Sequence, residues 1–212
     1  MVADTILINK LSGNEIADKF INPINGKIDT ESMIEDSIKL AFNYISGGSI
    51  WTLKIKYPGS KGSANDGLIP IRINGEWYYG INESKLHHTN KDRMQGKCQG
   101  LIYTDMFSTP IREKIVFILI STDIGGEIIF TENLIPVLNE IHEIRNRKHI
   151  TPSKALDDWE IYKAINTEYG TAEEYDDTTI AFYWRELEDF RDIIQQIIDK
   201  IKNKSILLKY GN

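Results

Sequence analysis

The stretch NDGLIPIRINGEWYYGINESK, Asn65 to Lys85, carries two apolar runs joined by Asn74-Gly75. A two-residue connection of this kind needs positive φ at both central positions, which Asn and Gly tolerate best, so the segment reads as a β-hairpin with a type I′ turn. A turn centred on those residues sets Asp66 directly across from Glu83. Opposed Cβ atoms in such a ladder lie roughly 4.5–5.5 Å apart. The two-residue period of a strand then puts Lys85 on the face of Glu83, with Ser84 pointing away. The run Trp77 to Ile81 is apolar on both faces, which predicts a central strand rather than an edge. Charges at the end of such a strand lie near the core and need a partner or a purpose.

Two carboxylates held that close repel unless something positive sits between them. A divalent cation suits the position, because Mg²⁺ takes one or two carboxylates plus waters and substrate phosphate. A neighbouring lysine can hold the attacking water and stabilise developing negative charge. These are the parts for metal-assisted phosphodiester hydrolysis. The competing reading makes Asp66 a loop cap and Glu83 and Lys85 solvent-side strand charges.

Outward from the hairpin, Asp29 and Thr30 are N-cap candidates for a helix running to about Ser46 and stopped by Gly47-Gly48. Its apolar stripe is Ile34, Ile38, Ala41, Phe42 and Ile45. Ile50 to Tyr57 alternates, with Trp51, Leu53, Ile55 and Tyr57 on one face, and predicts a half-buried strand. After the hairpin a helix is expected from about Thr89 to Tyr103, then a doubly buried strand from Lys114 to Thr122. A short strand at Glu127 to Phe130 follows, and Thr131 would cap a helix reaching about Arg147. Thr151 with Pro152 predicts a further helix, and a last amphipathic helix is expected from about Thr179 to Lys202. This order predicts an α/β (α+β) chain with a central mixed sheet flanked by helices. The expected division is one domain over residues 1–212, with a core at about 30–122 and a helical C-terminal part at 131–204.

The 212 residues include 41% hydrophobic and 26% charged side chains, enough for a sizeable core and ordinary for a soluble chain. The longest apolar runs, such as Ile115 to Ile120, are too short to cross a bilayer, and the N-terminus lacks the pattern of a signal peptide. A lone cysteine, Cys98, excludes an internal disulfide and suits a reducing cytoplasm; it reads as a small core residue. The net charge of -6 argues against nonspecific coating of nucleic acid. Basic residues nonetheless gather at Lys54–Lys61, Lys85–Lys97 and Arg145–Lys154, each of which taken alone reads as a solvated face.

On these residues the chain resembles the PD-(D/E)XK nucleases. Glu83-Ser84-Lys85 matches the (D/E)XK element and Asp66 the preceding acid, with Asn65 where the family usually has proline. The resemblance implies a restriction-endonuclease-like core, with Asp66 and Glu83 on the metal and Lys85 orienting water. It also implies a metal-proximal glutamate on the N-terminal helix, for which Glu35 is the candidate and Glu31 the runner-up. Gln99 to Tyr103 matches the QxxxY element of the RecB-like branch. The resemblance covers about Thr30 to Ser121.

The function implied is Mg²⁺-dependent, sequence-specific cleavage of double-stranded DNA by a type II restriction endonuclease, acting as a homodimer on a palindrome. Lys61, Ser63, Lys91, Arg93, Gln95 and Gln99 are the candidate DNA contacts, the cations going to phosphates. Base readers are expected in loops or the C-terminal half, around Arg145 to Lys154. Alternatives are a RecB-like or repair nuclease without sequence specificity and a non-catalytic DNA-binding domain. No Walker motif and no Ser/Cys–His arrangement supports a small-molecule enzyme. His87 and His88 read as loop histidines, and His142 and His149 as a helix and its end.

Overall fold

The computed structural model describes residues 4–18, 30–55, 65–131, 135–150, 152, 158, 160–161, 163–164 and 179–203. In chain order the elements are α1 (Gly13–Ile16), α2 (Glu31–Ile45), β1 (Gly67–Ile73), β2 (Glu76–Ser84), α3 (Asn90–Met106), α4 (Thr109–Arg112), β3 (Ile115–Ser121), β4 (Gly125–Phe130), α5 (Ile135–Lys148), β5 (Thr179–Tyr183) and α6 (Phe190–Lys202). The strands form one sheet in sequence order, with β2 and β3 parallel and the other pairs antiparallel. A parallel pair needs a long crossover, and α3 with α4 supplies it. Among the described residues no helix is long and apolar enough to cross a membrane.

The hairpin has the expected form. Asn74 and Gly75 take φ of 52° and 83°, and the ladder runs from Ile73↔Glu76 to Gly67↔Asn82 without a slip. Each helix face follows from the strand alternation. Ile69, Ile71, Phe117, Leu119, Ile128 and Phe130 meet Ile34, Ile38, Phe42 and the isoleucines of α6 on one side. Ile118, Ile120 and Ile129 meet Met94, Cys98, Leu101, Val137 and Ile141, from α3 and α5, on the other. The all-buried β3 is the middle of the sheet, as its unbroken apolar run predicts. Cys98 lies in that second core, where burial pushes its thiol up to about 12.

One close packing has a large energetic consequence. Gly80 lies under the Phe117 ring, and an added Cβ would stand 2.0 Å from Phe117 Cζ. Phe117 is itself wholly buried, so the ring has no free direction in which to yield. Gly80→Ala is therefore expected to cost about 1–3 kcal/mol by overpacking. Urea unfolding measures it, and a stability equal to the parent's would refute the packing argument.

Several expectations are corrected. Residues 50–55 form no full strand; Leu53 makes a single bridge to Leu68. Trp51 and Leu53, expected to face the core, are 64% and 51% exposed. Alternation fixes which side chains share a face, not whether that face is covered. Tyr57 lies outside the described residues, as does Thr151 of the expected next helix. The Thr131 hydroxyl donates to the Ile115 carbonyl at 2.8 Å, and residues 132–134, which a cap there would serve, lie outside the described residues. The last helix starts at Phe190 rather than Thr179, capped by Asp189, whose side chain accepts from the Arg191 amide. Thr179–Tyr183 instead pairs with β4. Its β-branched and aromatic residues favour a strand, and Gly125 and Gly126 let it approach, since a Cβ on Gly125 would meet Phe182 O at 2.1 Å.

Candidate functional site

The hairpin register, extended one residue past Gly67↔Asn82, brings Asp66 opposite Glu83. Asp66 Oδ2 accepts the Ser84 amide hydrogen at 2.7 Å. Glu83 is 2% exposed and its Oε1 has no hydrogen-bond partner among the described residues. Lys85 is buried beside it; Nζ lies 3.9 Å from Glu83 Oε2 and donates to the Ser84 carbonyl at 2.8 Å. The three side chains thus converge at the end of β2. Their burial excludes the reading of Glu83 and Lys85 as solvent-side charges.

Both carboxylates are held above their ordinary range. For Glu83 burial is the main cause and the Asp66 charge the next, with Lys85 and a backbone hydrogen bond from Asp66 opposing them. For Asp66 burial again leads, opposed by the Ser84 amide and Lys85. A desolvated pair of like charges, one oxygen of it unpartnered, is an electrostatic deficit that a cation would fill.

The N-terminal helix gives a mixed result. Glu35 is buried, but its carboxylate is engaged by Lys54 Nζ at 3.0 Å and by Lys39 one turn on. Lys39 is the i+4 partner that helical spacing offers, whereas Lys54 comes from a segment 19 residues on, which spacing does not report. Glu31, more than half exposed, approaches Lys85 Nζ at 4.0 Å, so the runner-up stands nearer the ammonium. Among the described residues no three His, Cys, Asp or Glu side chains come together as a metal-holding group; Asp66 and Glu83 are a pair.

The crossover helix α3 covers the site. Tyr103 is buried there, and its hydroxyl is pushed far above the usual phenol range, by burial first and then by the charges of Glu83 and Asp66. Gln99 lies one turn earlier on the same helix face, its Oε1 buried without a partner among the described residues. Lys91 is exposed and Gln95 part-buried, whereas Lys61 and Ser63 lie outside the described residues.

Arg93 requires a correction. Expected as a phosphate contact, it is 7% exposed, with Nη1 3.4 Å from Glu127 Oε2, and Lys97 Nζ stands 2.9 Å from Glu127 Oε1. Glu127, 1% exposed, sits two strands across from Glu83 in a single row over the sheet, Glu83↔Ile120↔Glu127↔Ala181. Its buried charge demands cations within reach, and Arg93 and Lys97, four residues apart on one helix face, meet that demand. This cluster was not read from the sequence, though a signal was present. Gly96 and Gly100 are spaced by one turn and lie against Ile120 and Ile118, which marks the face of α3 that meets the sheet. His88 borders the cluster through Thr122, with Nδ1 and Oγ1 2.8 Å apart, and burial first and Arg93 second lower its pKa. His142 of α5 is tied to Asp105, at the far end of α3, at 2.6 Å.

No family model, no curated protein and no solved structure matches this chain.

Proposed function

We propose that the chain is a Mg²⁺-dependent deoxyribonuclease of the PD-(D/E)XK type, and in particular a type II restriction endonuclease, cutting double-stranded DNA as a cytoplasmic homodimer. The observation that carries this reading is the convergence of Asp66, Glu83 and Lys85 at one end of the sheet. The order of helix, hairpin, helix and parallel strand around them supports it.

The residues fit the cation. Glu83 Oε1 is buried without a partner among the described residues, and both carboxylates are desolvated yet face each other. Asp66 and Glu83 would hold Mg²⁺, which when bound supplies charge neutralisation at the phosphate. Lys85, its ammonium fixed by the Ser84 carbonyl, orients the water whose oxygen attacks phosphorus, and stabilises the negative charge that develops as the P–O bond to the leaving oxygen breaks. Glu31 holds the outer side of that ammonium. Phosphate contacts fall to exposed cations such as Lys91, since Arg93 is committed to Glu127.

A second reading has its own support. Gln99 and Tyr103 line the helix face over the carboxylates, which favours a RecB-like nuclease with the same chemistry and no sequence specificity. Incubating the purified protein with unmethylated phage DNA, with Mg²⁺ or with EDTA, separates the readings. Discrete bands in Mg²⁺ alone are expected; progressive degradation from ends favours the RecB-like alternative. DNA left intact under both conditions, yet bound, reduces the chain to a DNA-binding domain. In an active parent, Lys85→Ala is expected to lower the cleavage rate about 10²–10⁴-fold with DNA retention on a gel unchanged.

A further inference from the structure

Ser84, the residue between the matched glutamate and lysine, touches every part of the site through its backbone. Its amide donates to Asp66 Oδ2 at 2.7 Å and its carbonyl accepts from Lys85 Nζ at 2.8 Å. Its side chain points to the opposite face of the sheet. There its Oγ lies 3.0 Å from Asn82 Nδ2 and 3.1 Å from Ser121 Oγ, and Ser121 Oγ donates to Asn82 Oδ1 at 3.0 Å. The triangle is closed, and all three side chains are buried. It also spans the parallel pair, because Ser84 and Ser121 are register partners and the Lys85 amide donates to the Ser121 carbonyl at 2.8 Å.

A polar triangle in an apolar layer is costly to desolvate and would be replaceable by aliphatic packing if it served stability alone. What it does here is directional. Three short bonds fix the position of Ser84 from one face, and so fix the peptide groups that hold Asp66 and Lys85 on the other. We propose that Asn82, Ser84 and Ser121 are positioning residues for the phosphodiester-hydrolysing site, acting through the amide and carbonyl of Ser84. The proposal rests on the nuclease reading above. None of the three touches the reacting groups with its side chain; each acts through the orientation of Asp66 and Lys85. Partners one shell away from a metal site change affinity or activity by about 10–100-fold when removed.

Ser84→Ala and Ser121→Ala each delete one hydroxyl and leave the backbone contacts in place. Both variants are compared with the full-length parent at a temperature where circular dichroism shows all three folded. Two quantities are read: Mn²⁺ affinity by electron paramagnetic resonance without DNA, and kcat and KM for cleavage with Mg²⁺. Expected is Mn²⁺ binding weakened about tenfold and kcat lowered about 10–100-fold with KM for DNA unchanged. A purely structural triangle lowers the melting temperature and moves neither quantity; that result in both variants overturns the proposal while leaving the nuclease reading intact. Should Ser84→Ala not fold, Ser121→Ala decides alone, since Ser84 then retains Asn82. A parent protein that neither binds Mn²⁺ nor cuts DNA overturns the nuclease reading, and the positioning role with it.

Discussion

Glu83→Gln is expected to abolish Mg²⁺-dependent cleavage and at the same time to raise the melting temperature of the metal-free protein at pH 8. Removing one preorganised charged group from a hydrolytic site costs about 10²–10³ in rate or more. Stability moves the other way, because the amide keeps the shape of the side chain while ending the repulsion with Asp66. The folded chain holds Glu83 and Asp66 above their ordinary pKa values, so between the ordinary and the raised values it binds more protons than the unfolded chain. Stability contributed by the pair is therefore present at acid pH and lost as pH rises through that window. The difference in melting temperature between Glu83→Gln and parent should be small near pH 4 and grow toward pH 8. Relief of such functional strain is commonly worth about 0.5–2 kcal/mol, or a few degrees at about 2–4 °C per kcal/mol for a chain of this size. Mg²⁺ should restore stability to the parent at pH 8 and do nothing for the variant. Full cleavage by Glu83→Gln, or melting curves that coincide across pH, would remove the physical basis of the site.

The largest loss of stability is expected from Trp184→Ala. Trp184 is fully buried, edge-on to Phe182 and Phe190 at ring-centroid distances of 4.9 and 5.7 Å. Its Nε1 donates to the Thr122 carbonyl at 2.9 Å and its amide to the Ile124 carbonyl at 2.9 Å. Gly13 of α1 presses on the other side; a Cβ there would lie 1.7 Å from the Trp184 carbonyl oxygen. The side chain thus ties the β3–β4 turn to α6, while the backbone of the same residue meets the N-terminal segment. Truncating a buried tryptophan costs about 3–5 kcal/mol, and the Thr122 carbonyl loses its donor as well. Against a total stability of about 5–15 kcal/mol this is a large fraction, visible as a melting temperature lower by about 10 °C. A change of less than about 1 kcal/mol in chemical denaturation would contradict the packing described.

The parts of the fold that were legible in sequence are those fixed by local chemistry. Asn74-Gly75 determined a turn, the turn determined the register, and the register placed Asp66 against Glu83. The stripe of α2 and the unbroken run of β3 likewise reported their own burial. What escaped depended on partners distant in the chain. Thr179–Tyr183 abuts an amphipathic helix in sequence and merged with it on paper; only the edge of β4, flanked by two glycines, makes it a strand. Trp51 and Leu53 alternate as a buried strand does, yet no rule of alternation says which face is covered. Glu35 has the right helix position for a metal, but two lysines neutralise it, one of them from a segment 19 residues on. Arg93 read as a surface cation because its true partner, Glu127, is a strand residue whose inward orientation depends on the sheet.

The crossover helix α3 offers one more lesson. Most sheet-covering helices grip by grease, which is indifferent to small sliding. This one is keyed: two glycine notches sit on two isoleucine ridges, and two cationic prongs one turn apart, Arg93 and Lys97, engage a single acidic socket in β4, Glu127. Displaced by one turn along its axis, the helix would leave that socket with one of its two cations and drive a side chain into one of the two ridges. The lid over the carboxylates therefore has one seat, and the geometry beneath it is inherited from that choice.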